Sequence, residues 1–169
     1  MIVPPLRRMK LRTAALPNAF GASFGRVRHW QPAQHKYTKI HQGWDLEAPL
    51  GTPCFAISDG LITHVGEHPQ FGRNVLLQFS THPPAKPFMS NSGDLFAFYA
   101  HLSVVLVSEG QPVRAGERIA LTGATGNASV SAPHLHFEIR DVSTPSPGLG
   151  LKGRLDPATV LGYAYLVSS

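Results

Sequence analysis

His134-Leu135-His136-Phe137-Glu138-Ile139-Arg140 decides the fold class of this chain. Leu135, Phe137 and Ile139 are apolar and polar residues alternate with them, the period of a β-strand with one greasy face. The same alternation carries the chemistry. Positions i and i+2 share a face only in a strand, so His134 and His136 converge on one site only if the segment is β. Upstream, His41-Gln42-Gly43-Trp44-Asp45 sets an imidazole and a carboxylate at i and i+4, which share a face in a helix and in an extended strand alike. Two histidines and a carboxylate form a donor set that zinc accepts. A catalytic zinc site keeps three protein ligands and leaves the fourth position to water. If His41, Asp45 and both histidines of the pair were bound, the site would be closed and structural. A hydrolase therefore requires one of His134 and His136 to stand off, and the residues alone leave open which.

Working outward, short apolar runs follow one another between turn residues. Strand candidates are Phe24 to Trp30, His35 to Ile40, Trp44 to Glu47, Pro53 to Ile57, Gly60 to Gly66, Asn74 to Ser80, Leu95 to His101, Arg118 to Thr122 and His134 to Arg140. The 16 glycines and 15 prolines are scattered between these runs as punctuation. Only Asp156-Pro157-Ala158-Thr159-Val160-Leu161 before Gly162 reads as a helix, with Asp at the cap and Pro at the first helical position. The expectation is an all-β domain with a mainly antiparallel sheet core and a short C-terminal helix. Two loops, Thr81 to Asp94 and Val142 to Leu155, are long enough to be mobile surface or walls of a groove.

At 169 residues the chain suits one domain. Residues 1–22 show no clean period and contain Pro4, Pro5 and Pro17, so they read as an N-terminal arm before a domain over residues 23–169. No stretch reaches transmembrane length and no solenoid period is visible. The net charge of +5 would suit a polyanion such as nucleic acid or an anionic cell wall. The basic residues are scattered, apart from Arg7, Arg8, Lys10 and Arg12, which read as a solvated tail, so no nucleic-acid partner is expected. Cys54, the only cysteine, lies in an apolar strand-like run and reads as a small buried hydrophobe. His101, at the end of an aromatic strand, becomes a candidate general acid/base once a metal site exists elsewhere. His29, His64, His68 and His82 lack such partners and read as ordinary. Asp45 alone could cap a turn, and Gly43, Gly51, Gly60, Gly116, Gly123 and Gly126 read as turn residues needing positive φ.

The chain resembles the lysostaphin-type (LytM-like) zinc metallopeptidases, which cleave peptide cross-links in bacterial peptidoglycan. The resemblance is carried, in the family's order, by Phe24-Gly25-Arg26, His41-Gln42-Gly43-Trp44-Asp45, Ala48 to Pro53, Ala56 to Gly60 and Phe71 to Val75. It continues through Tyr99-Ala100-His101-Leu102, Gly110 to Gly116, Thr122 to Gly126 and Pro133-His134-Leu135-His136-Phe137-Glu138, covering about residues 24–161. It implies the family's small antiparallel sheet, with a groove between loops. It implies that His41, Asp45 and His136 hold one Zn2+ ion, with His101 and His134 as unligated imidazoles that move the proton of a metal-activated water. A polar aromatic upstream of the first ligand often aids the oxyanion in this family; Tyr37 and His35 are the candidates. Cys54 stands where the family usually has Val, and the stretch from Gly126 to Pro133 is slightly longer than usual.

The implied function is that of a zinc-dependent endopeptidase acting on peptidoglycan stem peptides or cross-bridges in the periplasm or cell wall. The alternative is an inactive relative that binds peptidoglycan or activates a partner. Such relatives lose ligands, whereas this chain has every one. A lipoyl-type carrier is disfavoured, because neither Lys86 nor Lys152 sits at a tight turn. No secretory signal is read in residues 1–20, so the expected routes are a fragment without its export segment, phage release, or injection by a secretion machine. Injection would predict a cognate inhibitor (immunity) protein.

Overall fold

A computed structural model describes residues 1–81, 93–163 and 166. The chain folds into antiparallel sheets, as the alternation predicts. β1 (Gly25–Gln31) and β2 (Lys36–His41) form a separate hairpin, closed by a single 3-10 turn at Pro32–Gln34. The main sheet is built from β3 (Trp44–Glu47), β4 (Pro53–Phe55), β5 (Gly60–His68), β6 (Gly72–Ser80), β7 (Asp94–Val105), β8 (Pro112–Val113), β9 (Arg118–Thr122), β10 (His134–Arg140) and β11 (Arg154–Leu155). Its spine runs β11-β10-β7-β6-β5-β8; β3 joins along β10, and β9 bridges β7 to β4. The C-terminal helix α1 spans Ala158–Leu161, and the Asp156 carboxylate accepts a hydrogen bond from Ala158 N, as the cap reading expects.

β10 lies between β7 on one side and β3 and β11 on the other, so all seven of its residues are buried. Leu135, Phe137 and Ile139 enter the main core with Trp44, Leu46, Ala97 and Tyr99. On the opposite face, Leu76, Phe96, Phe98 and Ala100 make a second apolar cluster. The second face of β10, led by the imidazoles, is therefore covered as well. Burial of both faces requires each polar group there to find a partner.

Two readings need correction. The basic cluster near the N-terminus is not a solvated tail. Leu6 and Met9 are core residues, Lys10 pairs with Glu47, and the backbone of residues 10–12 hydrogen-bonds along the free edge of β3 (Glu47 N to Lys10 O, Arg12 N to Asp45 O). An extended segment held this way needs no side-chain period, which is why none is visible. Gly43, Gly60 and Gly123 are not at positive φ; a Cβ would collide with the Phe137 carbonyl and the Glu138 side chain at Gly43, with the Gln78 carbonyl at Gly60 and with the Ser103 amide and His101 carbonyl at Gly123, so glycine is needed at these three for close approach of a neighbouring strand. Gly51, Gly116 and Gly126 do have the positive φ expected of turns. Cys54 is fully buried and its thiol is pushed up to about 12 by that burial, leaving it unreactive. The loop expected over Thr81 to Asp94 lies, but for its ends, outside the described residues.

Candidate metal centre

Strand register brings the first two candidate ligands together. Asp45 of β3 and His136 of β10 are direct cross-strand partners, and Ala100 of β7 flanks His136 on the other side. His41 closes β2 and reaches the same point through the Gln42-Gly43 turn. Its Nε2 lies 3.0 Å from Asp45 Oδ1 and 3.3 Å from His136 Nδ1, and His136 Nδ1 lies 2.8 Å from Asp45 Oδ1. All three residues are buried. Among the described residues, His41, Asp45 and His136 form the group whose donor atoms all lie within 4.8 Å of one another.

The outer partners of each ring fix which atom faces inward. His41 Nδ1 is 2.8 Å from Ser23 O, and a carbonyl only accepts, so Nδ1 carries the proton and Nε2 offers its lone pair. His136 Nε2 donates to Glu138 Oε1 at 2.9 Å, leaving Nδ1 to the cluster. Asp45 is divided likewise. Its Oδ2 accepts from Arg12 Nε and a terminal Arg12 nitrogen at 3.0 and 2.9 Å and from Arg28 at 2.6 Å, while Oδ1 faces the two imidazoles. Three acceptor atoms thus converge where they would repel one another unless a cation sat among them. Nitrogen, nitrogen and carboxylate oxygen suit zinc, whose bonds to them run to about 2.0–2.2 Å.

Electrostatics point the same way. Burial pushes His136 down, but its hydrogen bonds to Asp45 and Glu138 and their charges outweigh that, and its pKa rises to about 9. Burial would raise Asp45, yet His41 and His136 hold it well below the usual carboxylate range. The centre demands positive charge, from a proton or from a metal.

His101 and His134 stand beside this group with a different arrangement. His101 Nδ1 donates to Thr125 O at 2.8 Å and His134 Nδ1 to Ala132 O at 2.9 Å, so each turns an unprotonated Nε2 to the cleft. Their ring centroids are 4.8 Å apart, and His134 Nε2 is 3.6 Å from Asp45 Oδ1. His101 has a φ of 60°, in the left-handed region, where β7 passes from pairing with β10 to pairing with β9. Such a conformation costs about 1–3 kcal/mol and persists only where its surroundings enforce it. Here it aims the ring at the cleft. Burial depresses His101 to about 3, reinforced by His136 and His134, and depresses His134 to about 4 against the pull of Asp45. Both are neutral near pH 7.

The cleft above these groups is about 410 Å3 and is walled by the Asn127–Ala132 stretch, Phe71 and the Arg12 and Arg28 side chains. The Val142 to Leu155 loop lines a neighbouring pocket that shares Gln42, Gln70 and Phe71 with the cleft, and Gln42 donates to the carbonyls of Gly148 and Gly150. Tyr37 and His35 do not line the cleft. His35 lies at the hairpin tip, and Tyr37 packs between Phe20 and Trp30. The arginines on Asp45 and the fully buried Glu138 went unread in the sequence. Glu138 Oε2 takes Nε–H donors from Arg140 at 2.7 Å and Arg154 at 2.8 Å, and Arg140 also covers the Phe98 ring. Glu138 was visible in principle, since it falls on the imidazole face two residues after His136. Arg12 and Arg154 had no local signal.

The profile of peptidase family M23 matches residues 39–147. The chain is 37% identical over 99 residues to the peptidoglycan DD-endopeptidase ShyA of Vibrio cholerae, a match covering 59% of this chain and 20% of that protein. It is 34% identical over 135 residues to the DD-carboxypeptidase/endopeptidase Mpg of Neisseria meningitidis, covering 75% and 27%. The chain thus spans well under a third of these curated relatives. Among solved structures, the catalytic domain of lysostaphin from Staphylococcus simulans superposes with a TM-score of 0.59 at 28% identity, over 82% of this chain and 88% of that one. A zinc-containing peptidase from Vibrio cholerae gives 0.56 at 26% identity, over 89% and 41%.

Proposed function

Because this chain belongs to peptidase family M23, we propose that it is a zinc-dependent endopeptidase that hydrolyses peptide cross-links of peptidoglycan in the periplasm or cell wall. The observation that carries the reading is the convergence of His41 Nε2, Asp45 Oδ1 and His136 Nδ1, each with its outer partner supplied. One zinc ion held there supplies a Lewis acid that polarises an amide carbonyl and acidifies a water. The catalytic unit is residues 23–169, with residues 1–22 as an arm folded onto it.

The chain's own residues do the rest. Nε2 of His101 and of His134 are free to accept the proton of the attacking water and return it to the leaving amine. The charge that then develops on either ring is offset by Asp45, which already pulls both pKa values upward. The guanidiniums of Arg12 and Arg28 fix Asp45 through Oδ2 and keep Oδ1 for the metal. The inactive-module alternative is disfavoured by this complete donor set.

Digestion of purified sacculi with and without a chelator tests the reading directly. Product masses should show cross-linked dimers cut at a peptide bond, and chelation should stop the release. Intact cross-links in the zinc-loaded reaction would overturn it. Metal binding should also depend on pH. The raised His136 pKa means the metal-free protein keeps a proton there up to about pH 9, and an ion must displace it. Zinc affinity, measured by competition with a chromophoric chelator, should therefore rise about tenfold per pH unit from 7 to 9 and then level off. A flat profile over that range would count against His136 as a ligand.

A further inference from the structure

Beside the metal cleft a second, larger groove of about 900 Å3 runs between residues 16–21 and the β1–β2 hairpin. The two share Leu16 and Arg28 as lining residues, so the groove continues the cleft. Its surface is unusual in two respects. Trp30 and Tyr37 face each other across the hairpin with ring centroids 5.0 Å apart, and Phe20 joins Tyr37 at 5.2 Å. Trp30 and Phe20 are 46% and 49% exposed, so these aromatic rings stand open to solvent. A lone exposed apolar residue means nothing, but contiguous aromatic rings on a concave surface mark a binding site. The charge is equally one-sided. The first acidic residue in the chain is Asp45, so the hairpin and the segment facing it carry no carboxylate, while Lys36 and Lys39 are exposed on the hairpin.

We propose that this groove binds the glycan strand of peptidoglycan, the aromatic rings stacking on pyranose faces and Lys39 donating to hydroxyl and acetamido oxygens of the sugars. This rests on the reading of the cleft as a peptidoglycan hydrolase centre, and it says which part of the polymer lies along the hairpin while a cross-link sits over the metal. Flat sugar faces present C–H groups that suit the electron-rich face of an aromatic ring. Exposed rings beside lysines could equally stack nucleotide bases. Nucleic acid is the less favoured occupant, because the basic residues that could extend a phosphate track are engaged within the fold: Lys10 on Glu47, Arg12 and Arg28 on Asp45, and Arg7 over the Phe55 ring.

The chain has two tryptophans, and the other, Trp44, is fully buried, so emission changes on ligand addition report on Trp30. Peptide-free glycan strands, prepared by stripping the stem peptides enzymatically, are the probe. Titration into the purified protein should give a saturable change in emission. Calorimetry should show affinity reduced at least about tenfold, equivalent to about 1.4 kcal/mol, in Trp30→Ala and in Lys39→Glu. Lys39 is exposed, so its variant tests the groove even if Trp30→Ala perturbs the hairpin. No response from the wild-type protein, unchanged affinity in Lys39→Glu, or tighter binding of a single-stranded oligonucleotide than of glycan would each overturn the proposal. The probe holds no peptide bond, so binding is read independently of hydrolysis. Glycan binding without cross-link cleavage would refute the hydrolase reading alone, and cleavage without glycan binding would refute this proposal alone.

Discussion

His136→Ala is expected to abolish both zinc binding and hydrolysis, whereas His134→Ala is expected to keep the metal and lose about 10²–10⁴-fold in kcat. The two histidines share one face of β10 and are separated by a single residue, so strand geometry alone would treat them alike. Their partners separate them. His136 Nδ1 lies 2.8 Å from Asp45 Oδ1 and 3.3 Å from His41 Nε2, inside the donor group. His134 Nε2 stands 3.6 Å from Asp45 Oδ1 and packs against the His101 ring, outside it. Removing His136 would take one of the three proposed ligands and leave Glu138 Oε1 without its partner. Removing His134 would take one of the two proposed proton carriers and leave the proposed ligand set whole. Zinc content by mass spectrometry, together with the rate of cross-link release, reads both effects. Equal zinc content and equal residual activity in the two variants would show that the roles are misassigned.

Glu138→Gln is expected to weaken zinc binding about 10–100-fold and to destabilise the protein by about 3–5 kcal/mol. Glu138 is completely buried and serves three cationic or proton-donating partners at once: His136 through Oε1, and Arg140 and Arg154 through Oε2. Burial alone would raise its pKa, but His136 and Arg140 outweigh that and hold it at about 2, so it is ionised at every working pH. A glutamine keeps the volume and removes the charge. It leaves two buried guanidiniums uncompensated, and its amide can accept at one end only. The His136 tautomer and the 142–155 loop then lose a common anchor, because Arg154 and Arg140 also donate to the carbonyls of Gly150 and Pro145. Thermal unfolding and chelator competition should move together, and Glu138→Asp should recover part of each. A melting temperature and zinc affinity both equal to wild type would remove Glu138 from the account.

The sequence was most legible where side-chain alternation and burial agree. β10 is the clearest case: one apolar face, one imidazole face, and the imidazole face is where the candidate centre forms. The β1–β2 hairpin, β3 and the capped helix were equally visible, because turn residues and caps mark their ends. β8 and β11, of two residues each, carry too few positions for any period. The arm escaped notice for a different reason. Its pairing along β3 is made by backbone hydrogen bonds, which leave no trace in composition, its side-chain contacts from Lys10 to Glu47 and Arg12 to Asp45 join residues far apart in sequence, and its core residues Leu6 and Met9 sit among prolines and arginines. At the centre, residue types announced the candidate metal donors, but the residues that orient them did not. Arg12 lies 33 positions from Asp45 and Arg154 lies 16 from Glu138, distances that only the folded chain closes. Gly43 shows the same limit: its need for glycine comes from β10 pressing against it, not from its own turn.

Anomalous scattering at the zinc edge from crystals of the zinc-loaded protein tests the central claim most directly. A single peak bonded to His41 Nε2, Asp45 Oδ1 and His136 Nδ1, with His101 and His134 unbonded, is the predicted result. Zinc bound through other residues, or absent from these three at saturating concentration, would contradict it.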